Sequence, residues 1–165
     1  ISRIHDLHDQ PKLVYRQNNQ KVTSLYSITL SQKERSMKTI KVAAAIIQKD
    51  GKILSCQRGY GEFKDGWEFP GGKLEPGETG EQAIVREIQE ELEVTIGDLD
   101  YLCTVEHDYD TFHLSMQCYL CTIVSGEIVE LEHEDMRWLS TDNLWGVDWL
   151  PADVKVVKQL EKKLA

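Results

Sequence analysis

Residues 79–92 (TGEQAIVREIQEEL) read as a helix and fix how that helix must pack. Thr79 and Gln82 fit the reciprocal cap that opens a helix, and Ile84, Ile88 and Leu92 recur every four residues. A helix turns by about 100° per residue, so Glu90 lies roughly 60° to one side of Glu87 and Glu91 roughly 40° to the other. Three carboxylates therefore share one face. Ile84, Val85, Ile88 and Leu92 occupy the neighbouring arc, which must face a core. The acidic cluster sits at the edge of that core and not on the far, solvated side.

The rest of the chain supplies a sheet for this helix to cover. Residues 40–48 (IKVAAAIIQ) are an apolar run, Asp50-Gly51 is a turn signal, and residues 52–57 alternate, which predicts a hairpin. A charged, Gly-rich loop from Arg58 to Gly66 leads to Trp67-Glu68-Phe69-Pro70-Gly71-Gly72. Residues 99–107 and 112–124 read as strands joined by a turn at Asp108-Tyr109-Asp110. Residues 136–139 read as a short strand, and residues 140–144 as a helical turn. Pro151 opens a last helix over residues 152–164, with Val154, Val157, Leu160 and Leu164 as its apolar stripe. This order predicts one α+β domain over residues 38–165, an α/β/α sandwich with a mixed β-sheet between helices.

Residues 1–37 carry six Lys/Arg against three Asp/Glu and have neither period, whereas residues 38–165 carry 13 against 25. The first segment is expected to be an extension, either non-native or disordered. Lys33-Glu34 can be encoded AAG GAG, which resembles a ribosome-binding sequence ahead of a start at Met37. An intact mass of the native protein that included Ile1 would overturn that reading.

The net charge of −9 argues against a nucleic-acid polymer as partner. Small phosphorylated ligands stay open, because a divalent metal reverses the local sign. No apolar run approaches the roughly 20 residues of a membrane-spanning helix, and no signal-peptide core opens the chain. A cytoplasmic monomer or homodimer is expected. Cys56, Cys103, Cys118 and Cys121 read as ordinary thiols, since Cys118 and Cys121 lie three apart on a strand and point to opposite faces. His107, His113 and His133 read as structural or exposed, without clustered partners. Trp67, Phe69, Trp145 and Trp149 read as core or rim.

Like charges three and four apart cost a helix about 0.2–0.5 kcal/mol per pair. Taken alone, such a face is more often solvated surface than a cation site. The neighbours favour the cation. Gly71-Gly72 permit close backbone approach, and Pro76-Gly77 turns the chain back to the helix. Arg86 can orient a carboxylate without competing for metal, and Glu78 can receive Arg86. Hard oxygen ligands suit Mg²⁺, or Mn²⁺ in its place.

The segment from Gly72 to Val94 resembles the Nudix box, in which Gly, five residues, Glu and seven residues precede Arg-Glu-apolar-x-Glu-Glu-x-Gly-apolar. Gly72, Glu78, Arg86, Glu87, Ile88, Glu90, Glu91 and Val94 match. Glu93 stands where the box has its second glycine, which puts the end of the helix in question. The resemblance covers residues 38–165 and implies the Nudix fold. Glu68-Phe69-Pro70-Gly71-Gly72 before the box, Glu132-His133-Glu134 and Arg137-Trp138-Leu139 after it, and Leu150-Pro151-Ala152-Asp153 resemble the MutT-like nucleoside triphosphate pyrophosphohydrolases.

By that resemblance Glu87, Glu90, Glu91 and the Gly71 carbonyl ligate Mg²⁺, with Glu132 as an additional ligand or as the base. Glu87 is the other candidate base. Arg58, Glu68, Phe69, Pro70, Gly71 and Asp153 are implied to meet the substrate, with Gly72, Glu78 and Arg86 in support. The implied reaction is attack of water on the β-phosphorus of a (deoxy)nucleoside triphosphate such as 8-oxo-dGTP, CTP or 5-methyl-dCTP, giving a monophosphate and pyrophosphate. Arg58 as a surface charge and Asp153 as a helix-dipole acid are the plainer alternatives. Hydrolysis of ADP-ribose or another nucleoside diphosphate derivative is an alternative activity, weakened by the lack of proline between Pro76 and Pro151. A non-catalytic nucleotide-binding module is weakened by the complete set of box glutamates.

Overall fold

Between residues 42 and 47 every side chain is shut off from solvent, and the architecture follows from how both faces of that strand are covered. The computed structural model describes residues 37–129 and 133–165. The expected extension, up to residue 36, and the candidate ligand Glu132 lie outside the described residues.

β1 (Lys38–Lys49) turns through Asp50-Gly51 into β2 (Lys52–Arg58). Both turn residues have positive φ, 49° and 71°, the two-residue geometry whose twist matches a hairpin. β3 (Trp67–Glu68) pairs with β2, and β4 (Gly71–Lys73) pairs antiparallel with β1 so that Gly71 and Gly72 lie beside Ala44 and Ala43. After α1 (Gly80–Leu92), β5 (Thr95–Asp108) and β6 (Phe112–Ser125) form a long hairpin. β6 then runs parallel to β1, from Lys38 opposite Phe112 to Gln48 opposite Thr122. β7 (His133–Ser140) pairs with β2, and α2 (Pro151–Leu164) closes the described chain. Among the described residues the sheet has the order β3-β2-β1-β6-β5.

Alternation along β1 decides the two layers. Ala43, Ala45 and Ile47 pack with Ile84, Ile88 and Leu92 of α1. Val42, Ala44 and Ile46 pack with Val156, Val157 and Leu160 of α2. Burying each of the large aliphatic side chains contributes about 1.5–3 kcal/mol. The α+β sandwich expected from the pattern is the observed one. Cys118 lies in the α2 layer and Cys121 in the α1 layer, on opposite faces as strand geometry requires.

Several local readings need correction. β5 begins at Thr95 and not at residue 99, because the strand continues through irregularities around Gly97 and Asp98 that hide its alternation. β7 begins at His133, three residues before the apolar stretch that announced it. The buried face of α2 is Ala152, Asp153, Val156, Val157 and Leu160, whereas Leu164 is 42% exposed and Val154 only half-buried. The buried stripe is not apolar throughout, because its second member is an aspartate. Trp67, Phe69 and Trp149 are core, but Trp145 is 47% exposed and donates its indole N–H to Glu161 at 2.6 Å. His113 does have clustered partners: its ring nitrogens meet Asp108 at 2.5 Å and Glu106 at 2.6 Å.

Candidate active site

The helix α1 starts as its sequence demands. Thr79 Oγ1 accepts from the Gln82 amide at 3.2 Å, and Gln82 Oε1 accepts from the Thr79 amide at 3.0 Å. This cap sets the helix direction, and with it the face that carries Glu87, Glu90 and Glu91. At the other end Glu93 takes up the left-handed conformation, φ 57°, where the box has glycine. The helix therefore ends where a glycine would end it, at a steric cost borne by Glu93.

Arg86 organises the loop before the helix. Its Nε and Nη2 donate to the two oxygens of Glu78 at 2.7 and 2.9 Å, and Nη2 also reaches the Lys73 carbonyl at 3.1 Å. Glu78 in turn accepts from the Glu75 amide at 2.8 Å. Arg86 Nη1 holds Glu87 Oε1 at 2.7 Å and stands 3.5 Å from Glu90 Oε2. One guanidinium thus ties the 73–78 turn to the acidic face, a task its planar fork suits. The Arg86 bonds, then the Glu75 amide, hold the Glu78 carboxyl at about 2, well below the usual carboxylate range.

Glu87 and Glu91 are buried and Glu90 is exposed. Burial pushes the Glu87 carboxyl above its ordinary value, with the Arg86 hydrogen bond opposing. The Glu87 carboxylate lies so close to Gly72 that a Cβ there would overlap it. At Gly71, with φ 154°, a Cβ would instead overlap the Ala43 carbonyl. The two glycines are thus required for different contacts, one with the acidic helix and one with the central strand.

A second group lies one short step along the same segment. Arg58 and Glu68 are both buried and form an ion pair at 3.3 Å, which removes the reading of Arg58 as a surface charge. Asp153, at the start of α2, is also buried and accepts the Phe69 amide at 2.9 Å. Arg58, Glu68 and Asp153 line one pocket with Phe63, Tyr109 and Phe112. Pro70 is buried, and its carbonyl accepts from the Ala45 amide at 2.8 Å, so it anchors this segment to β1. Residues 68–72 thereby connect a polar pocket with an aromatic rim to the carboxylates of α1.

The sequence did not single out Phe63, Tyr109 or Phe112. Tyr109 and Phe112 stack at 4.9 Å, and Phe63 meets Tyr109 at 4.9 Å. Two aromatic residues flanking a polar turn were the available signal. The Lys73 carbonyl could not have been found, because any residue type supplies one.

A model of the NUDIX domain matches residues 37–160. This chain belongs to the NUDIX family. The NUDIX chain is 36% identical over 125 residues to a CTP pyrophosphohydrolase of Escherichia coli (strain K12), covering 74% of this chain and 91% of that protein. It is 31% identical over 128 residues to an 8-oxo-dGTP diphosphatase of the same organism, covering 76% and 99%. Among solved structures, the MutT NUDIX hydrolase from Burkholderia pseudomallei superposes with a TM-score of 0.69 at 30% identity, covering 74% of this chain and 98% of that one.

NUDIX hydrolases act with a divalent metal. Among the described residues no three His, Cys, Asp or Glu side chains already converge on one cation position. The donor set nevertheless has the right chemistry. Two buried carboxylates, Glu87 and Glu91, and the more exposed Glu90 offer only hard oxygen donors. Burial that raises the Glu87 carboxyl is offset by an adjacent cation, since opposite charge favours the ionised form.

Proposed function

We propose that this NUDIX chain hydrolyses (deoxy)nucleoside triphosphates to the monophosphate and pyrophosphate, with Mg²⁺ as the metal and Mn²⁺ as a substitute. The observation that carries the reading is the pairing of two sites on one segment: Gly72 against the buried Glu87, and Glu68-Phe69 against Arg58 and Asp153. One end suits a polyphosphate with its cation and the other suits a base. The relatives' names, CTP pyrophosphohydrolase and 8-oxo-dGTP diphosphatase, support the substrate class.

On this reading Glu87, Glu90, Glu91 and the Gly71 carbonyl hold the metal, with Glu132 as a further ligand or as the base. When bound, the metal offsets phosphate charge and makes a water molecule easier to deprotonate. Arg86 and Glu78 fix the direction of Glu87. Glu87 or Glu132 takes the proton from water as its oxygen attacks phosphorus, and the P–O bond to the leaving group breaks. Arg58 donates to the nucleotide, and Glu68 holds Arg58 in place. Asp153 accepts from the amino edge of the base. An amino group next to a ring nitrogen is common to cytosine and to an oxidised guanine, so both classes belong in the test. Residues 38–165 are the catalytic unit, acting in the cytoplasm as a monomer or homodimer on small nucleotides and not on a nucleic-acid polymer. Among the described residues no helix is long and apolar enough to cross a membrane.

The test is a panel of CTP, 5-methyl-dCTP, dGTP, 8-oxo-dGTP and ADP-ribose with Mg²⁺, with pyrophosphate and phosphate measured separately. Pyrophosphate release from a triphosphate is the expected result. Turnover of ADP-ribose alone would overturn the reading. Glu91→Gln is expected to abolish metal-dependent turnover while the circular dichroism spectrum is kept, and full activity in that variant would remove the assigned metal site. Asp153→Ala is expected to change the order of preference among the bases more than the rate on the best one.

A further inference from the structure

Strand pairing brings together two cysteines that lie far apart in the chain. Cys103 on β5 stands directly opposite Cys118 on β6. Opposed residues of antiparallel strands put their side chains on one face. Both thiols border the same core layer, Cys118 within it and Cys103 half-buried against it. Opposed Cα atoms in such a ladder lie about 4.5–5.5 Å apart, within the roughly 4.4–6.8 Å that a disulfide spans. Leu102 is an extra residue between the pairs Tyr101–Tyr119 and Cys103–Cys118. A bulge of this kind lets a strand bend, which gives the backbone room to draw the two sulfurs together.

The other cysteines are placed differently. Cys56 and Cys121 are buried in the opposite layer. Cys121 Sγ points to the Ile46 carbonyl at 3.8 Å, and burial pushes its thiol up to about 12. Cys103, by contrast, is held below the ordinary thiol value by a hydrogen bond from Cys118, with burial opposing. Thiolate character and access favour oxidation, and a second thiol beside the first can resolve it.

We propose that Cys103 and Cys118 form a reversible disulfide when the protein meets hydrogen peroxide. The Cys103 thiolate attacks one peroxide oxygen, the O–O bond breaks, and the departing hydroxide takes up the thiol proton as water. Cys103 then carries a sulfenic –OH. The Cys118 sulfur attacks it, the S–S bond forms, and the –OH leaves with the Cys118 proton as a second water. Two thiols and one peroxide become one disulfide and two waters, with sulfur oxidised and peroxide reduced.

The experiment uses the full chain, reduced and then exposed to hydrogen peroxide, alkylated in denaturant, and mapped by mass spectrometry without reductant. The expected product has lost two hydrogens, contains a linked peptide pair carrying Cys103 and Cys118, and reverts with dithiothreitol. Cys56 and Cys121 are expected to remain alkylatable. In Cys118→Ser the oxidation of Cys103 is expected to stop at a sulfenic acid that dimedone traps. Cys103 and Cys118 both still alkylatable after peroxide would overturn the proposal. So would a disulfide that maps to Cys118 and Cys121, or a Cys103 driven to sulfinic acid in the unmodified chain without any linked pair.

Discussion

Gly71 and Gly72 differ in what an added methyl group would strike, so their substitutions should separate stability from activity. At Gly72 the obstacle is the carboxylate end of the Glu87 side chain, not backbone. Gly72→Ala is expected to leave the unfolding midpoint nearly unchanged but to lower kcat about a hundredfold, the scale of a misplaced reacting group. At Gly71 the obstacle is the Ala43 backbone, and φ is 154°. Gly71→Ala is expected to cost about 2 kcal/mol or more in urea melts, because a strained backbone has no side chain to move aside. Equal effects of the two changes on stability would contradict this division. Glu78 gives a pH-dependent counterpart. Its folded carboxyl sits near 2, against an ordinary 4.5. Its contribution is present above 4.5 and is lost as pH falls toward 2. The stability difference between the native chain and Glu78→Gln should therefore shrink over that window, and a constant difference would show that the Arg86 clamp adds nothing to folding.

Among the elements, α1 carries a cost at its end that can be removed. Glu93 is left-handed at φ 57°, a conformation that costs a residue with a Cβ roughly 1–2 kcal/mol. Glu93→Gly is expected to raise Tm by about 2–4 °C, and a fall would mean that the Glu93 side chain holds something the backbone argument omits. This element was also the most legible in the sequence. Its cap, its apolar arc and its acidic face all came from spacing, because they depend on residues close together in the chain. Elements whose identity depends on distant partners were misjudged. The start of β7 is polar, but pairing His133 with Arg58 extends the strand. Along α2 the buried position 153 is an aspartate, admitted because its carboxylate caps the Phe69 amide. No local pattern contains that reason. The aromatic rim and the cross-strand thiol pair were hidden likewise, since they arise from pairing between β5 and β6 and from the approach of the 59–66 loop.

At the level of the whole molecule, the central strand is completed late. β1 is matched along its length by β6, whose residues begin more than sixty positions later in the chain. Until that partner exists, one edge of a strand whose middle six residues are all apolar and buried has no ladder to join. Long-range parallel pairing is slow and leaves sticky intermediates open to association. Before Phe112 is made, residues 42–47 therefore lack a partner along the β6 edge and on the face that α2 covers. Fragments that stop before Phe112 are expected to give no cooperative melt, whatever helix they retain. The yield of this protein is therefore expected to depend on translation speed and on chaperones that shield nascent strands, well before any nucleotide is encountered.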